Sequence, residues 1–324
     1  MLQDYKKYLP NIIILFLVGM LGVAFGGSQY LILLLCIIGI YIIAVSGLDI
    51  LFGYSGQISL GHAAFFAIGA YTSAIFTTKF PIPVWIGMLL GATLATMIAI
   101  MIAFPAAKLV HHFLALLTIS FGQLVFIFVS KADNITNGMS GIIGIPPIKL
   151  GPLVFDTNLS FFALMLVLVT VFLVIKQRIV NSRVGRALIA IRENPHAASG
   201  MGINVRYYKI MAFAISAFFT GFSGALYAHF ICFISPESFM YSQSVLFLTM
   251  LLFGGTGNLY GPIIGSAVLT IISESLQSVG NYQMLVYGFF LMAVILFLPK
   301  GLYGIVDILK AYMRKMVKKS AEVK

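Results

Sequence analysis

Two short stretches of this chain combine glycine with side chains that donate and accept hydrogen bonds, and neither carries a full charge. One is Gly53-Tyr54-Ser55-Gly56-Gln57-Ile58-Ser59-Leu60-Gly61-His62, and the other runs from Gly254 to Pro262 through Thr256 and Asn258. Gln57, Ser59, His62, Thr256 and Asn258 are therefore the candidate substrate-pathway residues. The chemistry they suit is non-covalent. Neutral side chains, with backbone N–H and C=O groups freed by glycine, match the ammonium and carboxylate of a zwitterion without holding it tightly. The same glycines also suit close helix packing, and Gly61-x7-Gly69 and Gly221-x2-Gly224 have the spacing for it. His62, placed one turn into an apolar span, reads as a hydrogen-bonded packing residue as readily as a ligand. Asp49 and Glu274 are the acids nearest apolar stretches, where a carboxylate is costly and becomes a functional candidate. No catalytic residues are expected: the chain has no His-Glu-x-x-His, no paired-cysteine motif and no phosphate-binding Gly-x4-Gly-Lys-Ser/Thr loop. Cys36 and Cys232 lie inside apolar stretches and indicate neither a disulfide framework nor a metal site.

A third chemically distinct stretch is a basic island. Lys176 to Lys209 holds seven Lys/Arg and one acid between uncharged apolar runs. Inside it, Asn194-Pro195 has the pattern of an N-cap followed by a first helical residue, where the missing proline N–H costs nothing. Gly202 has the position of a helix stop. The pattern predicts a helix of about two turns outside the bilayer, either a handle for a soluble partner or a connector held on one side by its charges.

The elements that must position these residues are membrane spans. The chain is 60% hydrophobic and 9% charged, with a mean hydropathy of +1.05. A soluble domain carries about 25% charged residues, so the solvent here is lipid. The net charge of +11 sits in span-flanking loops without basic–aromatic interleaving, so no nucleic-acid partner is expected. With about 20 apolar residues per crossing, spans fall near 11–26, 30–47, 58–77, 84–104, 113–130, 159–175, 210–233, 239–253, 262–278 and 282–299. Residues 131–157 read as a Gly- and Pro-rich external loop, and His111-His112 as interfacial. The first span follows Lys6 and Lys7 and reads as a retained anchor rather than a signal peptide. The expected fold class is all-α: one polytopic helical bundle over 1–324, of about ten spans, with a cytoplasmic loop at 176–209. Ten spans put both termini on one side. If that side is the cytoplasm, 17 of the 20 Lys/Arg lie inside, leaving Lys79, Lys131 and Lys149 outside, as the positive-inside rule requires.

The chain resembles the branched-chain amino-acid ABC-transporter permeases of the LivM type. Three blocks carry the resemblance: GYSGQISLGHAAFFAIGAYTSA from Gly53 to Ala74; Arg183 to Asn204, with Gly185-Arg186-Ala187 and Ile191-Arg192-Glu193-Asn194; and Ala212 to Gly265, with SAFFTGFSGALYAH, FISPESF and GGTGNLYGP. The external NGMSGIIGIP segment, Asn137 to Pro146, adds to it. The resemblance implies a permease for Leu, Ile and Val in a bacterial or archaeal cytoplasmic membrane. It further implies a homologous second permease, two cytoplasmic ATPase subunits that bind the ATP, and an extracytoplasmic substrate-binding protein. This chain itself would bind no cofactor. The resemblance also places an ATPase-coupling motif, Glu-Ala-Ala-x3-Gly, at His196-Ala197-Ala198-Ser199-Gly200-Met201-Gly202, with His196 standing where the motif has its acid. Arg192, Glu193, Asn194, Pro195, Ala197, Ala198 and Gly202 are accordingly the candidate coupling residues. Two other readings stand beside this one: the same architecture carrying urea, a short amide or another small polar solute, and a self-sufficient channel or secondary transporter.

Overall fold

The computed structural model describes residues 29–80, 82–107, 111–150, 153–155 and 157–275, with a few isolated positions between 285 and 304. Helix α1 spans Gln29–Asp49 and runs on as a π-helical turn, Ile50–Tyr54. Then follow α2 (His62–Lys79), α3 (Val84–Ala106), α4 (His111–Lys131), the short α5 (Asp133–Thr136), α6 (Asn158–Asn181), α7 (Arg183–Glu193), α8 (Pro195–Gly200), α9 (Val205–Ile231), α10 (Tyr241–Gly254) and α11 (Gly261–Ser275).

The core forms where α9 packs against α1, α2 and α3. Small residues let these helices approach. A Cβ on Gly69 would collide with the backbone of Gly221, and one on Gly91 would lie 2.5 Å from the Gly69 carbonyl oxygen. The packing reading of Gly69, Gly221 and Gly224 is therefore the observed one, with Gly224 set against the Phe66 backbone. Phe66 in turn meets Phe247 with ring centroids 5.4 Å apart and Phe239 at 5.7 Å. Outward-facing residues of α3 and α4 are apolar and exposed, among them Met97, Met101, Phe104, Leu116, Leu124 and Phe128. Such a belt is stable only against lipid.

Among the described residues, five helices are long and apolar enough to cross a membrane: Gln29–Tyr54, Val84–Ala106, Phe113–Lys131, Asn158–Asn181 and Val205–Ile231. The expected spans near 11–26 and 282–299 lie outside the described residues, as does the end of the one near 262–278. Two others depart from the simple pattern. Helix α2 begins at His62, so residues 58–61 are irregular and His62 is its first residue, not one turn in. Its hydropathy is modest because neighbouring helices rather than lipid cover it: 12 of its 18 residues are buried. Helix α10 has 14 residues. At about 1.5 Å per residue it falls short of the roughly 30 Å hydrocarbon core.

The connections gather at two opposite ends of the bundle. At one end lie residues 50–61, the α6–α9 connection and the turn 255–260, joined by contacts described below. Arg206 belongs to this end: its guanidinium stacks 4.0 Å from the Phe104 ring centroid and donates to the Phe104 carbonyl. Lys79, donating to the Asn134 and Ile135 carbonyls, and Trp85, donating to that of Lys149, mark the other end. There the described part of the 131–157 segment carries more regular structure than a Gly- and Pro-rich loop suggests. Strand β1 (Ile142–Ile143) pairs antiparallel with β4 (Phe233–Ile234), and β2 (Ile148–Leu150) pairs with β3 (Leu153–Phe155). His111 and His112 start α4, but their side chains lie outside the described residues.

Candidate functional site

The two glycine-rich breaks meet. Asp49, the last residue of α1 before its π-turn, is fully buried and accepts from the backbone N–H of Gly257 at 2.7 Å. Its other carboxylate oxygen accepts from Lys176 Nζ, also at 2.7 Å, and both side chains are wholly inaccessible. The same ammonium donates to the Asn258 carbonyl at 3.0 Å and lies 5.9 Å from the centroid of the Tyr54 ring. Absence of a side chain at Gly53 makes room for this arrangement, since a Cβ there would collide with the Asp49 carboxylate. A π-helical turn in a helix, as here at the end of α1 over Ile50–Tyr54, often accompanies function. Gly301, one of the isolated described positions, packs its backbone on Gly254 and Gly255.

Lys176 therefore does not open the polar loop, as its place among the basic residues of 176–209 implies. It sits within α6, which continues to Asn181. The connection itself is two helices. Ser182 caps α7 by accepting from Val184 N–H at 3.1 Å, and Gly185, Ala187, Leu188 and Ile191 form its buried face. From the exposed end of α7, Arg192 donates to the Gly53 carbonyl, and its side-chain stem lies over Gly56. Asn194 caps α8 as expected: its Oδ1 accepts from the N–H groups of His196 and Ala197, both at 3.0 Å. Pro195 is the first helical residue. Gly202 has φ +82°, and Ile203 N–H returns to the Ala198 carbonyl at 3.1 Å while Gly202 N–H returns to that of Ser199 at 3.0 Å. That closes α8 in a Schellman motif. Ala198 is buried, whereas Glu193, His196, Ala197, Ser199 and Met201 are exposed.

Residues 30–298 match the sequence model of the family described as branched-chain amino acid transport system / permease component. The chain belongs to this family. It is 32% identical over 288 residues to the high-affinity branched-chain amino acid transport system permease protein LivM of Escherichia coli (strain K12), covering 81% of this chain and 67% of the relative. To LivH of the same organism it is 26% identical over 284 residues, covering 82% and 91% of the two chains. To the nucleoside ABC transporter permease protein NupC of Lactococcus lactis subsp. cremoris (strain MG1363) it is 24% identical over 277 residues, covering 76% and 85%. No solved structure matches the chain. These relatives are permease subunits rather than enzymes. The matched region contains both breaks, α7 and α8.

Within this permease, the candidate pathway residues divide. Gln57 is buried and donates to Ser55 Oγ at 2.8 Å and to the Lys209 carbonyl at 3.2 Å. Ser59 Oγ lies 3.1 Å from His62 Nδ1, and His62 Nε2 lies 2.7 Å from Ser216 Oγ on α9. All three candidate pathway residues of the first break are thus satisfied by protein neighbours. His62 bridges α2 to α9, the packing role open to it from the sequence. In the second break, Thr256 and Asn258 are half-buried. Asn258 donates through Nδ2 to the Gly255 carbonyl at 3.0 Å and accepts through Oδ1 from Gly261 N–H, so it shapes the turn that leads into α11. What joins the breaks is Asp49 with Lys176, not the neutral side chains. Asp49 carried a sequence signal as a carboxylate at a span end. Lys176 did not, because it adjoins Arg178 and further basic residues and reads as one of them.

Proposed function

We propose that this chain is one of two membrane-spanning permease subunits of an ATP-driven importer that moves Leu, Ile and Val into the cell. The observation that carries the proposal is the match to LivM along most of both chains, reinforced by similarity to LivH, a natural second permease subunit. On this reading ATP binds two cytoplasmic ATPase subunits, and an extracytoplasmic binding protein delivers the substrate. Helices α7 and α8 are the docking handle for an ATPase. The end that carries them is cytoplasmic, which is also the end where the described Lys/Arg are concentrated. The full chain crosses about ten times as a single domain, with both termini inside.

The pathway on this reading passes the second break, where Thr256 and Asn258 are half-buried. Gln57, Ser59 and His62 support its wall from behind. Neutral groups suit a zwitterion that must be released, since a free charge along the route would grip one end of it.

Uptake into reconstituted vesicles tests the function directly. The chain, assembled with its companion permease, ATPases and binding protein, is expected to accumulate labelled leucine, isoleucine and valine with ATP present. Similarity to NupC gives a specific second reading, a nucleoside as cargo. Uptake of uridine or adenosine with none of leucine would replace the amino-acid reading with that one.

A further inference from the structure

We propose that Asp49, Lys176 and Arg192 form a charged latch that closes the α7–α8 end of the permease and opens when α7 moves. The proposal rests on the reading of the chain as an ATP-driven permease. It adds two positioning residues within spans, Asp49 and Lys176, to the coupling step and gives the coupling candidate Arg192 a defined contact.

Four separate segments meet at the latch: the end of α1, the turn 255–260, α6 and α7. The Asp49 carboxylate accepts from Lys176 Nζ on one oxygen and from Gly257 N–H on the other, each at 2.7 Å. Lys176 also holds the Asn258 carbonyl at 3.0 Å. These bonds tie α1 and α6 to the very turn that separates α10 from α11. Both charges are completely buried. A buried pair of this kind often gives no more stability than apolar side chains of the same volume would. Its better-attested use is to fix one arrangement against another, and here that arrangement is the contact of the two breaks.

Arg192 supplies the link to the outside. It is the penultimate residue of α7, two residues before the cap of α8. Its guanidinium donates to the Gly53 carbonyl, and one of its nitrogens lies 3.1 Å from where a Cβ of Gly257 would stand. It therefore touches both breaks at once, on the exposed side of the ion pair. Any shift of α7 and α8 imposed by a docked partner withdraws this guanidinium from Gly53 and uncovers the latch. On this proposal the turn is held in one state and released in the other, as a two-state coupling element requires.

The test uses the assembled transporter in vesicles. Arg192→Met keeps the stem over Gly56 and removes the guanidinium. Asp49→Leu with Lys176→Met removes both buried charges together, so that neither is left unpaired. Both variants are expected to assemble with the ATPases. Each should hydrolyse ATP at least fivefold faster than the parent in the absence of binding protein, and import at least fivefold less substrate per ATP. As a direct readout of opening, a cysteine replacing buried Ser55, in a background lacking Cys36 and Cys232, should react at least tenfold faster with a thiol reagent in the vanadate-trapped complex than in the nucleotide-free one. Parental coupling in both variants, or equal Ser55→Cys reactivity in the two states, would overturn the latch. Failure of the functional reading looks different: the parent itself would import nothing or would not bind the ATPases.

Discussion

At the scale of single residues, the Asp49–Lys176 pair sets the sharpest expectation, because each charge is tolerable only while the other is present. Lys176→Met alone leaves a buried carboxylate with one backbone donor. Losing one partner of such a pair typically costs about 3–5 kcal/mol. The expected result is a large fall in the temperature at which detergent-purified permease loses its monodisperse peak. Asp49→Leu combined with Lys176→Met should regain most of that fall, since no unpaired charge remains. A double variant as unstable as the single one would mean the pair stabilises the fold outright. His62 gives a contrasting case. Its two ring nitrogens bond Ser59 and Ser216, so His62→Ala orphans the buried Ser216 hydroxyl and leaves Ser59 Oγ with only the Gly61 N–H at 3.5 Å. The same chromatographic stability assay should show His62→Ala and Ser216→Ala to be non-additive, with a coupling of about 0.5–3 kcal/mol, whatever the substrate.

At the scale of elements, two junctions depend on glycine for different reasons. Where α2 crosses α9, Gly69 is needed for proximity. A methyl group there meets the Gly221 backbone, which cannot swing aside as a side-chain tip can. Gly69→Ala should therefore force the helices apart, at about 1–3 kcal/mol as for other overpacked cores, and lower the yield of folded permease. At the end of α8, Gly202 is needed for its φ of +82°, and the space around it is open. Gly202→Val adds no clash there but strains the backbone by about 1–3 kcal/mol. Fraying of α8 should weaken ATPase co-purification while leaving insertion and folding of the spans unchanged. Equal co-purification would remove α8 from the docking surface.

At the scale of the whole molecule, the grouping of connections at two ends gives the topology a physical test. Ser199 and Ser140 are both exposed and belong to opposite ends. Cysteines placed there singly, with Cys36 and Cys232 replaced, should be labelled by an impermeant reagent from opposite sides: Ser140→Cys in intact cells, Ser199→Cys only in inverted vesicles. Ser182 is a poorer probe, because its hydroxyl caps α7. Labelling of Ser199→Cys from outside would reverse the proposed orientation and remove ATPase docking with it.

Much of this architecture was legible in the chain because its signals are local. Uncharged runs about as long as a bilayer crossing located α1, α3, α4, α6 and α9. The Asn194-Pro195 start and Gly202 stop located α8, since a cap involves only residues within one turn of each other. Helix α7 was not among the expected elements: Ser182 as a cap and Val184, Leu188 and Ile191 at helical spacing carry its signal, but the excess of arginine masks it as plain loop. The two breaks were visible as glycine with neutral polar residues. What those residues face was not visible. A hydroxyl or imidazole beside glycine has the same composition whether it lines a route or braces two helices, and only the position of α9 decided that Ser59 and His62 brace. Lys176 shows the limit most clearly. It stands 127 residues from Asp49 and beside other basic residues, so nothing in its neighbourhood marks it as the partner of a buried acid. That pairing exists because α1, α6 and the 255–260 turn converge, and convergence is a property of packing in three dimensions. By itself the sequence determined lipid as the solvent, five of the spans and the caps of the polar helix. Only the tertiary structure decided which breaks meet, which charges hold them together and which exposed helix reaches them.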